Sequence, residues 1–338
     1  MPQQVGAEKK GISRRIINTA FKILVVLLPA GLLYYELTSK DNLDSIIATF
    51  YSQLENANGW WLAGALLLIP FNWLTEVQKW QPLVARYEDI SQGQALKAVL
   101  AGFSFALFTP NRVGEYGGRI LFVRPENRWK AVLANAVGNM SQYLVLVAGG
   151  VLGSAWFVSN MAGWHNRWVL VCLLLSAGAV AATLYLYFNI LLLTRLIPRI
   201  PFLRRWQSLI REIQFLEKLE RSELTRVLGW SVVRYGVYST QYLFLLHFFE
   251  INAGWMAGYA GIATIYLLQT IVPLPAVAGL LVRGSLAVFM WSYFGANEIS
   301  SLAASFVLWI INLILPALIG TFSLFSVNIT KSLGYDDD

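Results

Sequence analysis

The feature that most constrains this chain is a repeated pattern of long apolar runs separated by short charged stretches. The runs are Ile16–Leu37, Trp60–Trp80, Ala131–Val158, Trp168–Leu193, Val227–Phe249 and Ser301–Phe325. Each is long enough to cross a bilayer, which takes about 20 residues of helix. Hydrocarbon offers no water to satisfy backbone N–H and C=O groups, so such runs must be helical. The pattern predicts an all-α polytopic membrane helix bundle, a single transmembrane domain over 16–326, with tails at 1–15 and 327–338. Only 13% of residues are charged and 57% are hydrophobic, against about 25% charged in soluble domains.

Several function classes are disfavoured by this composition. Cys172 is the sole cysteine, so an internal disulfide is excluded. His165 and His247 are too few for a metal cluster, and no cofactor is implied. The net charge of +7 does not indicate nucleic acid, because no soluble basic domain remains to bind it. Positive charge instead marks cytoplasmic loops. Lys9, Lys10, Arg14 and Arg15 precede the first run, and a basic block extends from Arg195 to Arg226. These place both termini in the cytoplasm and the protein in the cytoplasmic membrane. Leu209, Ile213, Leu216 and Leu219 fall at helical spacing in the block, which predicts a helix lying on the membrane surface. Ile46, Ile47, Phe50, Tyr51 and Leu54 predict a second amphipathic helix on the outer side.

Two stretches break the pattern. Phe108–Arg119 reads Phe-Thr-Pro-Asn-Arg-Val-Gly-Glu-Tyr-Gly-Gly-Arg, and a second break holds Pro273-Leu-Pro-Ala-Val-Ala-Gly279. Proline removes a backbone donor and stops a helix. Irregular backbone at membrane depth persists only when packed in protein or lining a wet cavity. Each break carries Pro with Gly four residues on (Pro110 and Gly114, Pro275 and Gly279), then an Arg (Arg119 and Arg283), then a short apolar segment and a long span. Loop charges make the first segment enter from the cytoplasm and the second from outside. The expectation is two re-entrant broken-helix hairpins in an inverted repeat, with halves at about 96–158 and 257–325, the arrangement that builds transporter sites near the bilayer midplane.

Ionisable groups are costly at that depth, at least ~2.5–3.5 kcal/mol each on insertion scales. Arg112, Glu115, Arg119, Glu76, Arg234 and Arg283 are therefore candidate substrate-binding residues, joined by Asn139 and Gln142 from a polar stripe that also holds Asn135 and Tyr143. Arg would grip a phosphate by paired hydrogen bonds. The competing reading is structural: Glu115 pairs with an Arg, Glu76 pairs with Lys79 or Arg234, and the hairpins are locked. Lys79 is expected to snorkel to the inner interface. A helix N-terminus near Asn111–Gly114 is expected to offer free N–H groups to an anion. Cys172 and His247 read as packing residues.

Residues 109–119 and 273–279 resemble the transmembrane, flippase-like region of lysylphosphatidylglycerol synthases and their stand-alone relatives. That family shows Thr-Pro-x-x-x-Gly-Glu early and Pro-x-Pro-Gly-Gly-x-Gly late; here Ala276 and Ala278 stand where glycines are usual. The resemblance covers about residues 15–326. Only a short tail follows Phe325, so aminoacyl transfer to lipid is not implied. It implies movement of a phospholipid or lipid-linked anionic head group across the membrane, with membrane lipids as partners. The protein is expected not to be an enzyme, and a homo-oligomer is compatible with it. Two other readings stay open: a proton-coupled transporter of a small anion, and a non-transporting partner of a glycosyl- or acyltransferase.

Overall fold

The computed structural model describes residues 43–55, 58–107, 109, 112–160, 167–190, 192, 214–271 and 279–325. The described residues form helices and turns. Among the described residues, three helices are long and apolar enough to cross a membrane: Gly59–Val84, Pro125–Asn160 and Glu298–Leu324. The first expected span, Ile16–Leu37, the loop residue His165, and both chain ends lie outside the described residues, as do Pro110 and Pro275.

In chain order, α1 (Leu43–Glu55) is the predicted amphipathic helix. It buries Ile46, exposes Tyr51, and sets Phe50 edge-on against Phe248 at 5.6 Å. Helix α2 (Gly59–Val84) follows, then α3 (Gln92–Ala106), which begins with a reciprocal cap. There Gln94 N donates to Ser91 Oγ at 3.2 Å and Ser91 N donates to Gln94 Oε1 at 2.9 Å. Helix α4 (Gly114–Ile120) is short, and α5 (Arg128–Asn160) is the longest. Then come α6 (Arg167–Phe188), a single turn at Gln214–Glu217, α7 (Arg221–Phe248), α8 (Trp255–Ile271) and α9 (Gly279–Ser292). The last helix is continuous in direction but irregular: α10 (Glu298–Trp309), a π-helical turn at Ile310–Ile314, and α11 (Leu315–Phe325). Asn297 caps it, its Oδ1 accepting from Ile299 N at 2.9 Å. The irregularity has a local cause. Pro316 has no N–H to give to the preceding turn, and the Leu315 N–H reaches back to the Ile310 carbonyl instead.

The bundle is built on α2 and α7, which run antiparallel along their whole lengths. Contacts descend one helix as they climb the other: Asn58 with Glu250, Ala65 with Gln241, Asn72 with Arg234, and Arg86 with Glu223. Helix α5 packs antiparallel to α8 through small residues. A Cβ at Gly150 would meet Leu267, and one at Gly153 would meet Ala263.

The first break folds as a tight antiparallel pair, α3 against α4. Gly118 sits on the backbone of Ala101 and Gly102, and a Cβ at Gly114 would collide with the Phe105 carbonyl. Only glycine permits backbones this close. On its other side α3 meets α11, where Gly320 faces the Leu100 carbonyl and Ser104 Oγ donates to Ala317 O at 2.7 Å. The second break joins α8 to α9, whose antiparallel contact is marked by Gly261 against Trp291. Residues 272–278, including most of the late motif, lie outside the described residues, and of Gly279 the structure shows only that it begins α9.

Most of the basic block, residues 193–213, lies outside the described residues; past it, Leu216 and Leu219 are buried in the apolar core. Arg221 and Arg226 belong to the first turns of α7, which starts six residues before the apolar run. A helix continues past the bilayer edge because its hydrogen bonds do not depend on side-chain polarity, and charged residues there simply face water.

Candidate functional site

Apolar side chains form two large clusters, one at each end of the bundle. Between them, at the middle of the long helices, lies a polar layer. Asn72 is near the midpoint of the 26-residue α2, and Arg234 is near the midpoint of the 28-residue α7. Their pairing follows from the antiparallel register, which brings midpoint to midpoint.

Glu76 is the hub of this layer. It is 1% exposed and has three cationic partners. Oε1 accepts from Arg119 Nη2 at 2.7 Å, while Oε2 is 2.5 Å from Arg234 Nη1 and 2.8 Å from Lys79 Nζ. Arg119 also reaches Glu115 Oε2 at 3.2 Å, and Glu115 Oε1 lies 2.5 Å from Arg112 Nε. The chain of charges Arg112–Glu115–Arg119–Glu76–Arg234 thus ties the short α4 hairpin to α2 and α7. Arg119 lies over the Trp80 ring, and Arg112 lies over the Phe103 ring at 5.0 Å.

Lys79 corrects its expectation. It does not snorkel to the interface; it is 0% exposed and donates to Gln142 Oε1 at 3.1 Å besides pairing with Glu76. The snorkelling expectation failed because Gln142 of α5, distant in sequence, helps hold Lys79 inside, while its pairing with Glu76 is the one the structural reading allowed. The one local signal was Glu76 three residues earlier, the spacing of a same-face pair.

A second correction concerns the start of α4. Its first N–H groups are already engaged. Gly114 N donates to Thr109 Oγ1 at 2.6 Å, Glu115 N to Arg112 O at 3.0 Å and Tyr116 N to Val113 O at 3.2 Å. Among the described residues, the amides of Gly114, Glu115 and Tyr116 are thus not free for an anion. Asn111 lies outside the described residues.

Beside the ionic chain lies a cavity of about 290 Å³. Its walls draw on seven helices and the π-helical turn. Arg112 and Glu115 come from the first hairpin, Arg283 from α9, and Gln269 and Thr270 from the end of α8. Asn139, Gln142 and Tyr143 come from the α5 stripe, Arg234, Tyr238 and Tyr242 from α7, and Asn72 from α2. Trp309 and Asn312 close the side formed by the last helix. The first break and the helices that flank the second therefore contribute to one cavity. Of the predicted site residues, Arg112, Glu115, Arg234, Arg283, Asn139 and Gln142 line it, while Glu76 and Arg119 lie behind it in the ionic chain. Asn135 is buried elsewhere, with neither amide atom hydrogen-bonded among the described residues.

The wall is held by a relay of amides. Arg234 Nε donates to Asn72 Oδ1 at 3.0 Å, and Asn72 Nδ2 donates to Asn312 Oδ1 at 2.6 Å. Asn312 lies inside the π-helical turn, so the backbone irregularity beside Pro316 is what presents it to α2. Asn139 accompanies it on the opposite wall, its Nδ2 donating to the Tyr116 hydroxyl at 3.3 Å.

Arg112 is the most distinctive member. Its φ is +59°, a left-handed backbone that non-glycine residues rarely adopt. Such strain costs of order 1–3 kcal/mol and clusters at functional sites. Its side chain is 37% exposed, yet Nη2 is buried without a hydrogen-bond partner among the described residues. His247, by contrast, is a packing residue as expected, stacked 4.6 Å from Trp61.

No curated protein matches this chain. Its residues 20–320 match the family model described as the lysylphosphatidylglycerol synthase TM region, a group of membrane proteins of lipid-related function. With its membrane-length helices and that match over most of its length, the chain is an integral membrane protein that belongs to the lysylphosphatidylglycerol synthase transmembrane-region family.

Proposed function

We propose that the protein moves lipids with anionic head groups across the cytoplasmic membrane. The observation that carries this reading is the convergence of Arg112, Arg234 and Arg283 on one cavity, from the first hairpin, α7 and α9. Guanidinium groups suit phosphate because their planar forks bind its oxygens in pairs. The α3–α4 and α8–α9 hairpins are read as re-entrant, dipping in from opposite faces as halves of an inverted repeat, so that the cavity lies near the bilayer midplane. The midpoint positions of Asn72 and Arg234 on α2 and α7 support that depth. The head group enters the cavity while its acyl chains stay in lipid. The ionic chain behind holds the hairpin in place and keeps Arg112 and Arg234 at the wall.

The test is reconstitution of the full chain into vesicles containing fluorescent phosphatidylglycerol, phosphatidate or a polyprenyl phosphate. Transbilayer movement of at least one of them above protein-free vesicles, slowed by Arg112→Ala, is the expected result. Movement of none removes the proposal. Uptake of free phosphate driven by a pH gradient, and lost in Glu115→Gln, would replace it with small-anion transport.

A further inference from the structure

The balance of charge around the cavity narrows the ligand beyond an anion. Among the described residues, the cavity wall and the ionic chain behind it hold five cationic side chains: Lys79, Arg112, Arg119, Arg234 and Arg283. They hold two carboxylates, Glu76 and Glu115. Three positive charges are in formal excess. The two carboxylates are fully occupied, since Glu76 has three cationic partners and Glu115 has two.

Arg283 makes the excess local. It lines the cavity with no carboxylate at ion-pair distance among the described residues, and its charged neighbour is Arg112, a like charge. Arg234 gives Nε to Asn72 and Nη1 to Glu76, which leaves Nη2. Arg112 has Nη2 without a partner. Three guanidinium groups on separate elements therefore share one small space, whose wall also holds Glu115, already paired, and aromatic side chains that include Tyr238, Tyr242 and Trp309. Like charges facing one another away from bulk water are unfavourable unless an anion lies between them. A zwitterionic head group would leave the whole excess in place. A phosphodiester, with one negative charge, would leave two positive charges uncompensated.

We infer that the cavity is built for a head group carrying two or more negative charges, a phosphomonoester or a diphosphate, with Arg283 as the residue that separates it from singly charged phosphodiesters. This rests on the proposed lipid reading of the same cavity. The oxygens of a terminal phosphate are shared among Arg112, Arg234 and Arg283. A phosphodiester has two of its oxygens blocked by ester bonds and cannot serve all three forks in that way.

Purified full-length protein in detergent micelles tests the inference through tryptophan-fluorescence titration. The probes are dihexanoyl phosphatidate, dihexanoyl phosphatidylglycerol, dihexanoyl phosphatidylcholine and inorganic pyrophosphate. Phosphatidate is expected to bind about tenfold or more tightly than phosphatidylglycerol, the size of one additional charge-assisted contact, with phosphatidylcholine weakest. Arg283→Gln, or Arg283→Leu should that variant not fold, is expected to close the gap between phosphatidate and phosphatidylglycerol. Equal affinity of the two in wild-type protein overturns the inference, and so does a gap that survives loss of the Arg283 charge. Pyrophosphate binding as tightly as phosphatidate keeps the charge class and makes the occupant a free ion rather than a lipid. Vesicle translocation separates the two proposals. Phosphatidylglycerol that moves and binds as well as phosphatidate overturns the charge inference alone, whereas the tenfold preference without any lipid movement overturns translocation alone.

Discussion

Arg234 and Asn72 meet at the midpoints of two antiparallel helices, with the arginine Nε donating to the asparagine Oδ1 at 3.0 Å. The same guanidinium reaches Glu76 one turn further along α2, at 2.5 Å through Nη1. One arginine thus joins the wall of the cavity to the ionic chain behind it. Residues joined in one network are expected to couple energetically, and a double-mutant cycle measures that coupling.

Glu76 is the carboxylate shared by three cations in a buried layer. Glu76→Gln leaves Arg234 and Lys79 with no carboxylate at ion-pair distance among the described residues and Arg119 with Glu115 alone, and removing one member of a buried ionic pair typically costs about 3–5 kcal/mol. A marked fall in thermal stability of the detergent-solubilised protein is expected. Arg234→Gln in the same background should cost much less than it does in wild type, with a coupling of roughly 0.5–3 kcal/mol in a double-mutant cycle. Additive losses would show that the Glu76–Arg234 contact is not formed.

Lys79 is inaccessible, whereas Lys97 is exposed on α3. An amine-reactive ester applied to the folded protein in micelles should label Lys97 and leave Lys79 unmodified, as read by peptide mass spectrometry. Labelling of both at similar rates would return Lys79 to the membrane interface.

The α3–α4 hairpin depends on backbone contact at particular glycines. Gly118→Ala places a Cβ 2.5 Å from the Ala101 carbonyl oxygen, while Gly117→Ala meets nothing within 4 Å. The first is expected to destabilise by roughly 1–3 kcal/mol, as overpacked positions do. The second should be neutral or slightly stabilising, since alanine favours helix over glycine. Unfolding midpoints of the two variants, side by side, check the geometry.

Arg112 combines a left-handed backbone with a partly exposed side chain and a pairing to Glu115. Arg112→Gly relieves the backbone strain and deletes the guanidinium together. Folded yield should be retained, and phosphatidate affinity should fall about tenfold, the size of one lost charge-assisted contact. Full affinity in a folded Arg112→Gly protein would take Arg112 out of the site.

Much of the fold is legible in the chain. The apolar runs Trp60–Trp80, Ala131–Val158 and Val227–Phe249 correspond to α2, α5 and α7, each of which extends further at one end or both. Hydropathy windows stop at the first charged residue, but helical hydrogen bonding does not. The glycines of the first break stand in the sequence, and Gly114 and Gly118 press on the backbone of α3. Pro316 stops the regular hydrogen bonding just before it, where the chain makes a π-helical turn, yet nothing local indicated that this turn would hand Asn312 to Asn72.

By itself, the sequence determined that the chain is a helical membrane protein, that two breaks interrupt it, and that a small set of charges lies where hydrocarbon would otherwise be. Those conclusions need only the cost of burying backbone and charge, which is a property of each segment alone. Tertiary structure alone decided which charges face the cavity and which lock the bundle. Glu76, Arg119 and Arg234 each read as equally strange in a membrane protein, and Lys79 read as an interfacial residue. The antiparallel register of α2 and α7, with α4 wedged beside them, is what turns Glu76 and Arg119 into a buried support and leaves Arg112, Arg234 and Arg283 around a shared space. Partners so distant in sequence leave no periodic trace in it, because register is set by packing over the full length of both helices.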